Sequence, residues 1–129
     1  MREPVWLVKE FVQVIHEEML AEFGGSAGIR DEGLLESALG KPKNLLAYEK
    51  PNLFDLAASY AAGIVRNHPF IDGNKRTGFM AAYTFLTRNG VNFKATQADS
   101  AAAVLALASI EMTEKQFSGW LKEKSQQQK

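Results

Sequence analysis

Residues 53–89 read LFDLAASYAAGIVRN-HPFIDG-NKRTGFMAAYTFLTRN, two apolar stretches separated by six residues that interrupt them. From Leu53 to Asn67 nearly every side chain is apolar, with Leu56, Tyr60 and Ile64 on one stripe and the small Ala57 and Ala61 beside it. A helix that is apolar all round is a buried one, so this spacing predicts a central helix. Pro69 ends it, because the residue before a proline is pushed out of the α region. His68 is therefore expected at a helix exit or in a loop. Asn74 to Asn89 reads as the next helix, with Phe79, Met80, Tyr83 and Leu86 as core candidates and Gly90 as its stop. Gly78 within it suggests a close approach of two helices.

Outward from this pair the chain continues as helices and turns. Val8, Val12, Ile15, Met19 and Phe23 form a stripe that predicts a helix from Pro4 to Phe23, stopped by Gly24-Gly25. His16 lies beside that stripe and reads as a helix-edge histidine that supports core packing. Asp31 is a candidate N-cap for a short helix carrying Leu34, Leu35, Ala38 and Leu39, which Gly40 and Pro42 are expected to end. Lys41 to Asn52 then reads as a structured loop or a very short helix, serving as a connector or a docking flap. Thr96 to Asp99 opens a helix running to about Ile110. Thr113 to Gln116 has the form of a capping box, with Met112 and Phe117 at the positions of a hydrophobic staple. No alternating pattern is longer than Val91 to Lys94. The expectation is one compact all-α domain over residues 1–125, its HPFIDG loop between two central helices, and a frayed tail over 126–129.

Composition narrows the chemistry. In 129 residues, fifteen Lys and Arg balance fifteen Asp and Glu, which leaves no overall field to hold nucleic acid, and direct nucleic-acid binding is not expected. The absence of cysteine excludes disulfides, thiolate zinc sites and a cysteine nucleophile. With only His16 and His68, a three-histidine metal site is impossible within one chain, and any imidazole chemistry must use one of the two. Charges arrive too early for a signal-peptide core. The longest uncharged runs are about eleven residues, short of the ~20 needed to span a bilayer. A soluble, cytoplasmic protein with no membrane partner is expected.

The interruption itself breaks local rules. Gly73 after Asp72 is a turn signal, and Asn74 can cap the helix that follows. This places Lys75 and Arg76 in the first turn, where the helix dipole disfavours cations by about 0.3–1 kcal/mol each. The same turn has unsatisfied N–H groups. A bound phosphate resolves both conflicts, since N–H groups, dipole and two cations then converge on one anion. His68 supplies a candidate general base, imidazole having an ordinary pKa near neutral. Asp72 is a hard oxygen ligand suited to Mg²⁺ on phosphate oxygens. Phe70 is expected to turn inward and anchor the loop, and Thr77 to bond its own helix turn. Singly, each residue reads as solvated polar surface; together, within nine positions, they read as a phosphoryl-transfer site. Other phosphate motifs fail. Asn74 separates Gly73 from Lys75, so no Walker loop exists. Ile29-Arg30-Asp31 faintly echoes a kinase catalytic loop but lacks its histidine and asparagine.

HPFIDGNKRT, residues 68–77, resembles the signature of the Fic/Doc family, H-x-F-x-[D/E/N]-[G/A]-N-[G/K]-R. GIRDEGLLESAL around Asp31, DLAASYAAGIVRN before His68 and FLTRNG after the second helix are similar to the death-on-curing (Doc) branch, so the resemblance covers nearly the whole chain. It implies a helical fold with the motif between two central helices. It further implies His68 as general base toward a protein hydroxyl, Asp72 as Mg²⁺ ligand, and Gly73, Asn74, Lys75 and Arg76 around the phosphates of ATP.

Two positions separate this chain from Fic adenylyltransferases. Lys75 stands where those enzymes have glycine, and Phe79 where they have a second arginine. Both match the Doc branch, which implies transfer of the γ-phosphate of ATP to a Ser/Thr hydroxyl, catalysed by His68 and Arg76, with a translation factor such as elongation factor Tu as target. AMP transfer, or a catalytically idle binding module, are the alternatives. The self-inhibitory pattern [S/T]-x-x-x-E-[G/N] has no match. The resemblance therefore implies a toxin restrained by an antitoxin protein, docked in an apolar groove near the motif.

Overall fold

The computed structural model describes residues 3–126. Six helices follow one another: α1 (Lys9–Phe23), α2 (Glu32–Tyr48), α3 (Leu53–Asn67), α4 (Asn74–Arg88), α5 (Gln97–Ala108) and α6 (Glu114–Gln126). No strand occurs among the described residues, and the all-α expectation holds. Gln126 still belongs to α6, and residues 127–129 of the expected tail lie outside the described residues.

α3 is the centre. Its residues Leu56 to Val65 are all buried, and α2, α4, α5 and α6 pack around it while α1 lies on α4. Its start is set by a capping box: Asn52 Oδ1 accepts from Asp55 N–H (2.8 Å), and Asp55 Oδ2 accepts from Asn52 N–H (3.1 Å). The α3–α4 contact depends on Gly78, where a Cβ would stand 2.7 Å from Val65 Cγ2 and 3.2 Å from the Ala61 carbonyl oxygen. The capping box at Thr113 and Gln116 forms as expected, with bonds of 2.8 and 3.0 Å.

Two boundaries differ from the sequence expectation. α1 begins at Lys9, five residues after Pro4. The segment before it is claimed by distant partners: the Asn89 side chain accepts from Val5 N–H (2.7 Å) and donates to the Val5 carbonyl (3.0 Å). Tyr60 Oη accepts from Leu7 N–H (3.0 Å). The Val5 carbonyl, which a helix from Pro4 would need as acceptor for Lys9 N–H, and the Leu7 N–H are thereby committed to other helices. α2, expected to end at Gly40 and Pro42, continues to Tyr48, so most of the expected connector is helix. A proline inside a helix costs about 3 kcal/mol through a lost hydrogen bond and a ring clash. Here Pro42 is buried and Leu45 and Leu46 beyond it pack on the core, which offsets that cost.

Candidate active site

α3 delivers His68 and α4 begins at Asn74, so the six residues 68–73 are held at both ends by the central helix pair. His68 is the C-cap of α3 with φ 50° and ψ 55°, a left-handed conformation that costs a non-glycine residue about 1–2 kcal/mol. Its side chain is exposed. Nδ1 stands 3.5 Å from Asn74 Nδ2, the outer limit of a hydrogen bond, and Nε2 has no partner among the described residues.

Asn74 departs from the sequence expectation. Gly73 (φ 78°) is the N-cap of α4, and Asn74 is its first helical residue. The buried Asn74 side chain instead closes the loop on itself, with Oδ1 accepting from Phe70 N–H and Nδ2 donating to the Phe70 carbonyl, both at 3.0 Å. This staple turns Phe70 inward, where it is 1% exposed and stacks on His16, ring centroids 3.8 Å apart. His16 also donates from Nε2 to the Asp72 carbonyl at 2.8 Å. From the sequence His16 reads only as a helix-edge histidine that supports core packing. Its position beside an apolar stripe carries no signal that its polar atom reaches a loop 56 residues away.

Asp72 is exposed. Its Oδ1 accepts from Gly73 N–H (2.9 Å) and its Oδ2 from Ser26 N–H (3.2 Å), which ties the loop to the chain after α1. In the first turn of α4, the N–H groups of Asn74, Lys75 and Arg76 precede the first intrahelical bond, from Thr77 N–H to the Gly73 carbonyl (3.0 Å). No acidic residue lies in that turn. Lys75 and Arg76 are exposed and form no ion pair among the described residues. The Arg76 guanidinium lies over the Phe23 ring, 4.2 Å from its centroid, which holds the charge beside the turn. Helix dipole, free donors and two cations thus share one small surface, the arrangement that binds phosphate.

The Thr77 side chain does not bond its own helix turn as expected: its buried hydroxyl has no hydrogen-bond partner among the described residues. Phe79, three residues after Arg76, is half-buried in an aromatic cluster with Tyr83 and Phe93, at 6.4 and 6.1 Å. It therefore brings no charge to the site. Two clefts of about 300 and 350 Å³ are lined by other residues, including Lys50, Asp55 and Lys115 in one and Ser37, Lys41 and Arg66 in the other. Neither touches residues 68–76, and neither is the apolar groove expected there. No helix among the described residues is long and apolar enough to cross a membrane.

Two curated proteins are similar to this chain. One is named Toxin Doc, from Mycolicibacterium smegmatis, 46% identical over 77 residues that make up 57% of this chain and 58% of that protein. The other is named Protein kinase doc, from Escherichia phage P1, 38% identical over 78 residues, 60% of this chain and 62% of that protein. The chain thus matches about six-tenths of the length of each relative. A sequence model of the Fic/DOC family matches residues 6–86, which span α1 to most of α4 and the whole loop described above. The chain belongs to the Fic/DOC family.

Proposed function

We propose that this protein transfers the γ-phosphate of ATP to a Ser/Thr hydroxyl of a target protein, as the toxin of a toxin–antitoxin pair. One observation carries the proposal: an exposed imidazole whose Nε2 has no partner among the described residues stands six residues before a helix N-terminus, where three N–H groups without a partner among those residues meet two cations that form no ion pair among them. The names of the two relatives support the same class.

In this reading His68 takes the proton of the attacking hydroxyl at its free ring nitrogen. The hydroxyl oxygen bonds to the γ-phosphorus, the bond to the bridging oxygen breaks, and ADP leaves. Gly73, Asn74 and Lys75 line the phosphate cradle. Arg76 meets the charge that develops on the transferring group, which makes it catalytic beside His68. Asp72 is the residue suited to Mg²⁺. Its exposed carboxylate keeps lone pairs beyond its two N–H bonds, so it would be free to hold the cation. When bound, Mg²⁺ would supply charge neutralisation of the phosphates. Phe79 and Lys75 stand where Fic adenylyltransferases carry a second arginine and a glycine, and this likeness to the Doc branch supports γ- over α-phosphate transfer. A translation factor is the proposed target, and an antitoxin protein the proposed restraint.

The test is incubation of the full chain with Mg²⁺, a cell lysate and ATP labelled at the α or the γ phosphate. Protein label from γ alone is the expected result, with a loss of about 10²–10⁴-fold in His68→Ala. Label from α alone would make the chain an adenylyltransferase. Transfer undiminished in His68→Ala would remove the general base from the proposal.

A further inference from the structure

Gly28 to Asp31 runs beside the loop like a splint. Ile29 and Phe70 form an isolated antiparallel bridge. Ile71 N–H donates to the Gly28 carbonyl (3.0 Å), while the N–H groups of Arg30 and Asp31 both donate to the Pro69 carbonyl (2.7 and 3.1 Å). The Arg30 side chain then reaches past this backbone pairing to the end of α3. Its Nε donates to the His68 carbonyl at 2.7 Å and its Nη2 to the Asn67 carbonyl at 2.8 Å. Asn67 in turn donates from Nδ2 to the Leu34 carbonyl at 3.1 Å, so the helix end is also tied to α2.

The last carbonyls of a helix have no intrahelical donor, and a cation there is favoured by the dipole. Glycine is the usual residue at a left-handed helix exit, but a glycine has no imidazole to offer. His68 holds that conformation instead, and a strained residue persists only where its surroundings over-determine it. The planar fork of Arg30 bonds the carbonyl of the strained residue and the one before it, an arrangement a lysine point charge cannot copy.

Resting on the reading of His68 as general base, we infer that Arg30 is its positioning residue, clamping the exit of α3 so that the imidazole faces the phosphate cradle. Arg30 does not bind nucleotide in this assignment. Its removal acts on turnover and not on ATP affinity.

Arg30→Ala, Arg30→Lys, His68→Ala and the Arg30→Ala/His68→Ala pair are compared with the parent chain. The kinetic readout is the rate of transfer from γ-labelled ATP into a cell lysate at varied ATP. Misplacing a catalytic group by about 1 Å costs up to about 10²-fold. Arg30→Ala should therefore lose about 10–10²-fold in maximal rate with half-saturating ATP unchanged. Arg30→Lys should recover part of the loss, and Arg30→Ala should add nothing on a His68→Ala background. In NMR, the His68 Cα and Cβ shifts should leave left-handed values in Arg30→Ala. An unchanged maximal rate per folded molecule, a further loss on the His68→Ala background, or unmoved His68 shifts would overturn the assignment. A parent chain that transfers no label defeats the proposed activity, and the His68 shifts then decide the role of Arg30 by themselves.

Discussion

His16 and Phe70 show how much a site can rest on residues that never meet a substrate. The stacked pair is buried under the loop, and the single His16 bond to the Asp72 carbonyl fixes the peptide that leads into α4. His16→Phe keeps a ring against Phe70 but deletes the donor. It should cost about 1–3 kcal/mol in denaturant unfolding and weaken ATP binding, while His16→Gln, which keeps a donor, should recover part of both. Phe70→Ala removes a ring that is 1% exposed and should cost about 3–5 kcal/mol by the same measurement. The conflict of dipole, cations and turn chemistry within nine positions was legible in the sequence, and the structure keeps it: no acidic residue enters the first turn of α4. The support beneath the loop was not legible, because Phe70 meets a histidine from α1 and the splint at Gly28 to Asp31 lies about forty residues upstream.

Among the elements, α3 was the most legible, its limits Leu53 and Asn67 being set by local signals at both ends: a capping box and a following proline. Gly78 was also readable as a close approach. Gly78→Ala gains helix propensity of about 1 kcal/mol but places a methyl 2.7 Å from Val65 Cγ2. Overpacking should win, with a net loss of about 1–2 kcal/mol seen as a lowered Tm. α1 and α2 were less legible at one end each. Asn89 and Tyr60 claim the backbone ahead of α1, and the apolar residues beyond Pro42 draw α2 through a residue that local rules treat as a stop. In both cases the deciding partner sits on another helix.

For the whole molecule, Asp55 joins the start of α3 to α6, accepting from Ser118 Oγ (2.7 Å) and Lys115 Nζ (3.0 Å) as well as from Asn52 N–H. Burial alone would raise its carboxyl, but these hydrogen bonds, from Ser118 above all, outweigh burial and hold it below the ordinary value. A depressed carboxyl stabilises the fold above its unfolded pKa of about 3.9, and that contribution is lost as pH falls through the folded value. Asp55→Asn should therefore lower Tm at pH 7 and narrow its gap to the parent chain as pH drops below about 4, measured by thermal melts across pH. The helical class, the central helix and the placing of His68 to Arg76 between two helices could be read from the chain alone, since each follows from apolar spacing, proline and glycine within one or two turns. That Asn74 staples the loop rather than capping α4, that α2 passes through Pro42, and that His16 and Arg30 bond the Asp72 and His68 carbonyls emerged only with the packed molecule. Those outcomes depend on hydrogen bonds and packing between parts of the chain far apart in sequence, and local propensity has no knowledge of them until the core assembles.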